Sequence, residues 1–244
     1  MAIDLIPAMT GAEIRGNIPL PPTIAWLSCH FSPWHRGLSN LPDTLPEGSV
    51  LILDDSAPMR DHDFEVVTAQ LREAVEKHRC CALLLDFQRP GNNAAVKLAE
   101  HLVNALPFPV GVSEFYASGL PCPVFLPPVP TDRPIREYLT PWQTREIWLD
   151  ISPGGMEITL TADGAIAAPL PAHAVPSGIV HTDEDLHCHY TIELTPGKAR
   201  FRLHRTWEDL TALSAHAAGL GVTKCVGLWQ ELKGLYPARQ NDVL

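Results

Sequence analysis

An acid and an amide occupy alternate positions at the end of one apolar run. The stretch CALLLDFQRPGNN, residues 81–93, is aliphatic up to Leu85 and then becomes polar at Asp86 and Gln88. Because side chains alternate along a strand, Asp86 and Gln88 are predicted to share one face, with Phe87 on the other. Two polar side chains on one face of an apolar strand need partners if buried, so a ligand is one candidate partner.

Further polar residues stand at the ends of other apolar runs. In a parallel barrel the loops after the strands open on one face, so these residues are predicted to line a common mouth. The alternative, that the acids cap following helices or face water, stays open. The residues concerned are Asp54, Asp55, Glu114, Asp150, Trp229 and Glu231.

The elements that must position these residues are short apolar runs that mostly lack polar alternation. Such continuous apolar runs are typical of strands that are buried on both faces, as in parallel sheets covered by helices. Helices are predicted over residues 63–79, 92–106 and 206–218, each followed by an apolar run. The predicted strands are in residues 23–31, 49–55, 81–87, 109–115, 123–128, 145–151 and 225–232.

Residues 152–204 follow a different pattern. Asp-Gly separates two alternating segments in MEITLTADGAIAAP, and Thr-Pro-Gly-Lys separates two more in HYTIELTPGKARFRLH. Both patterns predict antiparallel hairpins. We therefore expect an α/β fold, a reduced or irregular TIM-type (β/α) barrel. It forms a single domain over residues 1–244, with an antiparallel β insertion before the last helix.

Composition narrows the function classes. The chain has 244 residues, 45% of them hydrophobic, and a formal net charge of −10 without a dense Lys/Arg patch. Nucleic acid is therefore not an expected partner. No glycine-rich phosphate motif is present, so no nucleotide cofactor is indicated. The acidic start and the lack of an apolar run of about 18 residues predict no membrane association and a cytoplasmic location.

One segment raises the question of a metal. The stretch HTDEDLHCHY, residues 181–190, concentrates imidazoles and carboxylates, which are ligands for zinc and other divalent transition metals. Its candidate ligands are His181, His187 and His189. Acidic loops are usually exposed to solvent without binding a metal. This segment therefore does not suffice to predict a metal, and no cofactor is predicted.

The segment from residue 63 to residue 93 resembles the centre of the family 18 glycoside hydrolases, the chitinase-like barrels. That family carries D-G-x-D-x-D-x-E on a strand that follows a helix. Asp86 falls on the last aspartate of this motif, and Gln88 falls on the catalytic glutamic acid. Leu84 and Cys81 replace the other two aspartates. The segments 48–67 and 205–232 are also similar to the family, with Trp229 on the tryptophan that floors its sugar cleft.

The resemblance implies a mechanism that the sequence does not support. The family uses a carboxylic acid to protonate the leaving oxygen, and Gln88 has no labile proton near neutral pH. A glutamine still donates and accepts hydrogen bonds to a sugar. The prediction is a non-catalytic barrel that binds an oligosaccharide or small molecule through Asp54, Asp86, Gln88, Trp229 and Glu231.

Two alternatives remain open at this point. One is a divergent glycoside hydrolase that uses other carboxylates at the strand ends, with Glu114 and Asp55 as candidates. The other is a structural or interaction protein whose pocket is vestigial.

Overall fold

A computed structural model describes residues 5–16, 21–57, 59, 64–170 and 178–233. In chain order the strands are β1 (Leu5–Met9), β2 (Ala25–Phe31), β3 (Leu38–Ser39), β4 (Val50–Asp54), β5 (Ala82–Asp86), β6 (Val110–Ser113), β7 (Val124–Leu126), β8 (Ile147–Asp150), β9 (Gly155–Thr161), β10 (Gly164–Leu170), β11 (Val180–Asp183), β12 (Cys188–Thr195), β13 (Lys198–His204) and β14 (Val222–Leu228). The helices are α1 (Gly11–Ile14), α2 (Phe64–His78), α3 (Asn93–Ala105), α4 (Ile135–Leu139), α5 (Trp207–Gly219) and α6 (Trp229–Leu232), with a 3₁₀ turn at Thr140–Trp142.

Eight parallel strands close into a barrel. Around the ring their order is β1, β14, β8, β7, β6, β5, β4 and β2, and the pairing of β2 with β1 closes the ring. The predicted TIM-type barrel is therefore confirmed. Strand β1 was not assigned from the sequence, because its five residues include Pro7 and lack the long apolar run of the other strands.

The barrel strands are apolar because both of their faces are covered. Residues 50–53 of β4 and residues 82–85 of β5 are all buried. In register, each residue of β4 from Val50 to Asp54 is paired with one of β5 from Ala82 to Asp86. Polar residues appear only where these two strands end, which places Asp54 beside Asp86.

Helices α2 and α3 follow the predicted pattern. Helix α2 buries Val67, Leu71 and Val75, and α3 buries Leu98 and Leu102. The Asn92 side chain caps α3 by accepting a hydrogen bond from Ala94 N at 3.0 Å. The sequence offers Asp61 or Asp63 as the N-cap of α2, and both lie outside the described residues.

Helix α5 begins with the predicted cap. Thr206 and Asp209 form a reciprocal capping box. The predicted end differs by one residue, since Gly219 is the last helical residue and Leu220 is the C-cap.

The end of the last barrel strand was predicted wrongly. Strand β14 stops at Leu228, and Trp229 and Glu231 belong to the short helix α6. The apolar pattern of β14 continues into α6, where Leu232 is also buried. Periodicity over so few residues does not separate a strand from a helical turn.

The predicted hairpin insertion is confirmed as a five-stranded antiparallel sheet. Its strand order is β10, β9, β13, β12 and β11. The turns at Ala162-Asp163 and Pro196-Gly197 connect β9 to β10 and β12 to β13, so the first turn lies one residue before the Asp-Gly pair that predicts it.

Residue contacts divide the chain into two compact units. One unit comprises Ile6–Leu126 and Thr144–Leu149, and the other comprises Met1–Leu5, Pro127–Gln143 and Asp150–Leu244. The organisation of residues 1–244 as one domain stays a prediction. Of the helices in the described ranges, none combines the length and the apolar character needed to span a membrane.

Candidate functional site

The ends of three neighbouring strands bring polar residues to one place. The register pairs His30 of β2 with Asp54 of β4, and Asp54 with Asp86 of β5. The side chain of Asp54 accepts a hydrogen bond from Ser56 N at 2.8 Å. The site is therefore built on adjacent, rigid strands and the loops that leave them.

Asp55 holds the loop that follows β5. This buried carboxylate accepts hydrogen bonds from Gln88 N and Arg89 N, each at 3.0 Å. Arg89 returns a hydrogen bond from its guanidinium to Ser56 O at 2.7 Å. Both Asp55 oxygens thus receive main-chain donors, which gives this residue a positioning role for Gln88.

The Gln88 side chain is exposed, and its amide donates a hydrogen bond to the Asp86 carboxylate. The two side chains therefore meet, as their alternate positions in the sequence suggested. Within the described ranges, the carbonyl oxygen of the Gln88 amide has no hydrogen-bond donor from the chain. An amide oxygen and a second amide N–H can accept and donate further hydrogen bonds.

Asp86 is a carboxyl group with a raised pKa. Burial is the main cause, and the nearby Asp54 and Asp55 carboxylates raise its pKa further. The hydrogen bond from Gln88 acts in the opposite direction because it stabilises the ionised form. The amide thus offsets part of the cost of placing a carboxylate among two others.

An aromatic residue not singled out in the sequence, Tyr116, fixes the same loop. Its hydroxyl donates to Arg89 O and accepts from Asn92 N, the latter at 3.3 Å. Its ring packs edge-on against the buried ring of Phe87, with centroids 6.0 Å apart. The sequence signal was weak, because Tyr116 follows the end of a strand and no spacing links it to residues 87–92.

Glu114 lies just after β6 and has a pKa raised by burial. The register pairs Leu85 with Val112, so Ser113, one residue further, stands level with Asp86. Glu114 comes one position after Ser113, so it does not stand level with Asp86 in the register of the two strands. The main-chain N–H of Glu114 donates to Phe125 O at 3.0 Å, which ties it to β7.

The second unit holds the remaining predicted pocket residues. Glu231 accepts a hydrogen bond from the Ser152 hydroxyl at 2.6 Å, and Ser152 Oγ accepts one from Gly154 N at 3.0 Å. This pair joins α6 to the start of the insertion. Trp229 is half-buried at the first position of α6.

The three histidines considered as metal ligands have separate partners. His187 Nε2 lies 2.9 Å from His216 Nδ1, and His189 Nδ1 lies 2.6 Å from Asp209 Oδ2. His181 stacks on Tyr190 instead. In the ranges the structure covers, no three His, Cys, Asp or Glu side chains are grouped so that they could hold a metal ion.

Comparison with known proteins bears on the fold. No family model matches the sequence. No curated protein matches it either. Among solved structures, a class V chitinase from Nicotiana tobaccum has a TM-score of 0.59 at 10% identity, over 98% of this chain and 99% of that chain. That structure is of a glutamic acid to glutamine mutant in complex with NAG4.

Two other solved structures are similar to the same extent. The spore cortex-lytic enzyme SleL of Bacillus cereus has a TM-score of 0.56 at 12% identity, over 96% of this chain and 74% of that chain. A chitinase-like agglutinin from Robinia pseudoacacia has a TM-score of 0.56 at 10% identity, over 87% of this chain and 91% of that chain. The resemblance stated from the sequence is thus confirmed for the fold, and the chain has the barrel architecture of the family 18 chitinases and their relatives.

Proposed function

We propose that this protein binds a glycan at the ends of its barrel strands and does not hydrolyse it. The observation that carries the proposal is the pair of Gln88 and Asp86, in which a carboxamide donates to the carboxylate two residues earlier. An amide cannot supply a proton to a leaving oxygen, and loss of general acid catalysis costs about 10²–10⁴ in rate. The same amide can donate and accept hydrogen bonds to hydroxyl and acetamido groups.

The main-chain anchoring of Gln88 supports a binding role. Asp55 accepts hydrogen bonds from Gln88 N and Arg89 N, and Tyr116 holds Arg89 O. A binding group whose position is set before the ligand arrives loses less conformational entropy on binding. We therefore assign the buried Asp55 to the positioning of Gln88 and not to chemistry on a ligand.

Two of the solved structures with a similar fold also support glycan binding. One is a chitinase carrying glutamine in place of a glutamic acid and bound to NAG4, and another is an agglutinin. We propose that Asp54, Trp229 and Glu231 also take part in ligand binding, as the sequence resemblance implies. An aromatic ring such as that of Trp229 provides an apolar platform with a polar edge, which suits the face of a sugar.

Calorimetric titration with NAG4 and other chitooligosaccharides tests the proposal. The parent protein is expected to bind, and Gln88→Ala is expected to weaken binding about tenfold, which corresponds to about 1.4 kcal/mol. Trp229→Ala should also weaken it. The matched control is Gln143→Ala, which removes another exposed glutamine far along the chain from residue 88 and should bind like the parent.

Two results would contradict glycan binding at this site. If the parent binds none of a broad panel of glycans, the pocket is vestigial and the protein has a structural or interaction role. If Gln143→Ala weakens binding as much as Gln88→Ala, the loss does not report on the proposed pocket.

A divergent hydrolase is the second candidate, and the raised pKa of Glu114 favours it. Burial raises the pKa of the Glu114 carboxyl, and a raised pKa is the direction that suits a general acid. Asp55 is less suited, since both of its oxygens receive main-chain donors. Hydrolysis of chitooligosaccharides by the parent, abolished in Glu114→Gln, would establish this function in place of the first.

A further inference from the structure

The five-stranded sheet has two faces of different chemistry. Residues opposite each other in antiparallel strands lie on the same side of the sheet. The register pairs Ile158 with Phe201 and Phe201 with Ile192, and it pairs Leu160 with Ala199 and Ala199 with Leu194. These six residues, which we call the apolar face, are Ile158, Leu160, Ile192, Leu194, Ala199 and Phe201.

The opposite face is charged, and its charges are paired with each other. Arg202 Nε lies 2.8 Å from Glu157, and Arg200 Nη1 lies 2.9 Å from Glu193. Thr159 stands between them in register with Arg200. Charged residues of β9, β12 and β13 stand at positions that alternate with the apolar ones, and β10 contains no charged residue, so none lies on the apolar face.

The apolar face is open to solvent. Leu194 is 75% exposed, Ile192 is 42% exposed and Leu160 is 40% exposed. Phe201 and Ile158 are only partly buried. The neighbouring edge strand β10 extends this surface with Ala165 and Ala167, which pair with Leu160 and Ile158 and are also exposed.

This surface is large for an exposed apolar patch. The four strands β9, β10, β12 and β13, with a spacing of about 4.8 Å and a length of about seven residues at about 3.4 Å, outline roughly 450 Å². Side chains standing on this outline expose a larger accessible area. Stable complexes bury about 800 Å² per partner, and monomers rarely leave an apolar patch of more than a few hundred Å² exposed.

We propose that the apolar face is covered by the same face of a second copy of this chain, related by a two-fold axis. An uncharged apolar surface is complementary to itself, which is the requirement of a two-fold interface. A nucleic acid or an anionic membrane would need basic groups, and Arg200 and Arg202 stand on the other face with carboxylate partners. The interface joins the β insertions of the two copies.

Sedimentation velocity and light scattering of the full chain at increasing concentration test the proposal. The parent is expected to be a dimer that dissociates on dilution. Leu194→Lys, alone and with Leu160→Lys, is expected to give a monomer, because each dimer would bury uncompensated charges. Both side chains are exposed within one chain, so folding is retained and is checked by circular dichroism.

The matched control is Ile166→Lys. Ile166 is 69% exposed and pairs with Thr159, so it lies on the charged face of the same sheet. This variant is expected to remain a dimer, and that contrast supports the assigned face. A parent that is monomeric at every concentration would overturn the proposal. So would a dimer that survives both lysines, a dimer that Ile166→Lys dissociates, or a monomer that binds neutral phosphatidylcholine vesicles through this face.

Discussion

The carboxylate of Asp55 holds the main chain of Gln88, with Asp55 Oδ1 accepting a hydrogen bond from Gln88 N at 3.0 Å. Asp55 follows β4 and Gln88 follows β5, so this contact joins the ends of two neighbouring barrel strands. Its partner bond from Arg89 N to Asp55 Oδ2 occupies the second oxygen. The loop that presents Gln88 is therefore attached to the strand beside it.

Replacing Asp55 should destabilise the protein and disorder the site. Asp55→Ala leaves two main-chain donors without their charged acceptor, and such bonds contribute about 1.5–3 kcal/mol each. We expect a loss of about 3–6 kcal/mol in the free energy of unfolding, measured by urea denaturation. The control Asp132→Ala removes an exposed carboxylate and should stay within about 0.5 kcal/mol of the parent. Equal losses in both variants would show that Asp55 has no special role.

Restoring an acid at residue 88 should not restore chitinase activity. Gln88→Glu supplies a carboxyl group, but Leu84 stands where the family has an aspartate and is fully buried between Ile52 and Gly111 of the adjacent strands. An apolar side chain there cannot hydrogen-bond to Asp86 or relay a proton. Release of reducing ends from chitooligosaccharides should remain at background. Turnover well above that of the parent would mean that the remaining residues suffice for catalysis.

Asp86 should make stability depend on pH in a defined direction. Its pKa in the folded protein lies above the ordinary value of 3.8, so the folded state favours the protonated form. Its contribution to the free energy of unfolding therefore decreases as pH rises from 3.8 through the raised pKa. Asp86→Asn keeps an acceptor for Gln88 and removes the ionisation. The variant should be more stable than the parent at neutral pH, with the difference shrinking toward acidic pH; a constant difference would contradict this assignment.

The histidines next to α5 should destabilise the protein at acidic pH. Burial lowers the pKa of His187, and His216 and Arg205 lower it further, while Asp209 and Asp185 act in the opposite direction. Burial also lowers the pKa of His204, with His189 as the second cause. Because the folded state favours the neutral rings, stability falls as pH drops below 6.5 toward the lowered values.

The variant His187→Asn tests this pH dependence. His187 has a φ of 48°, in the left-handed region that asparagine tolerates. The variant should lose part of the decrease in unfolding free energy between about pH 7.5 and about pH 5, a window that begins about one unit above the ordinary imidazole pKa of 6.5 and extends below it. The control His35→Asn replaces an exposed histidine. An acid response that is unchanged in His187→Asn would locate the effect in other groups.

Much of the scaffold could be predicted from residue pattern alone. Continuous apolar runs such as residues 82–85 identify strands covered on both sides, because only such strands can dispense with a polar face. The stripe that contains Ala99 and Leu102, preceded by Asn92 and followed by Pro107, is sufficient to place α3, although Val96 of the same predicted stripe is exposed and Leu98 is buried instead. Alternation around Asp163-Gly164 likewise predicts the hairpin of β9 and β10. In each case the signal comes from neighbours in the sequence.

Other features depended on contacts between distant parts of the chain. The roles of Asp55 and Tyr116 follow from hydrogen bonds across 33 and 27 residues, respectively, and no local spacing encodes them. Strand β14 ends at Leu228 because Trp229 turns into α6, although the apolar pattern continues. The sequence by itself determined most of the strands and helices and the candidate site residues, since apolar pattern and turn preference are local. Tertiary structure decided which carboxylate positions Gln88 and which stands beside it, because strand register brings together residues that sequence separates.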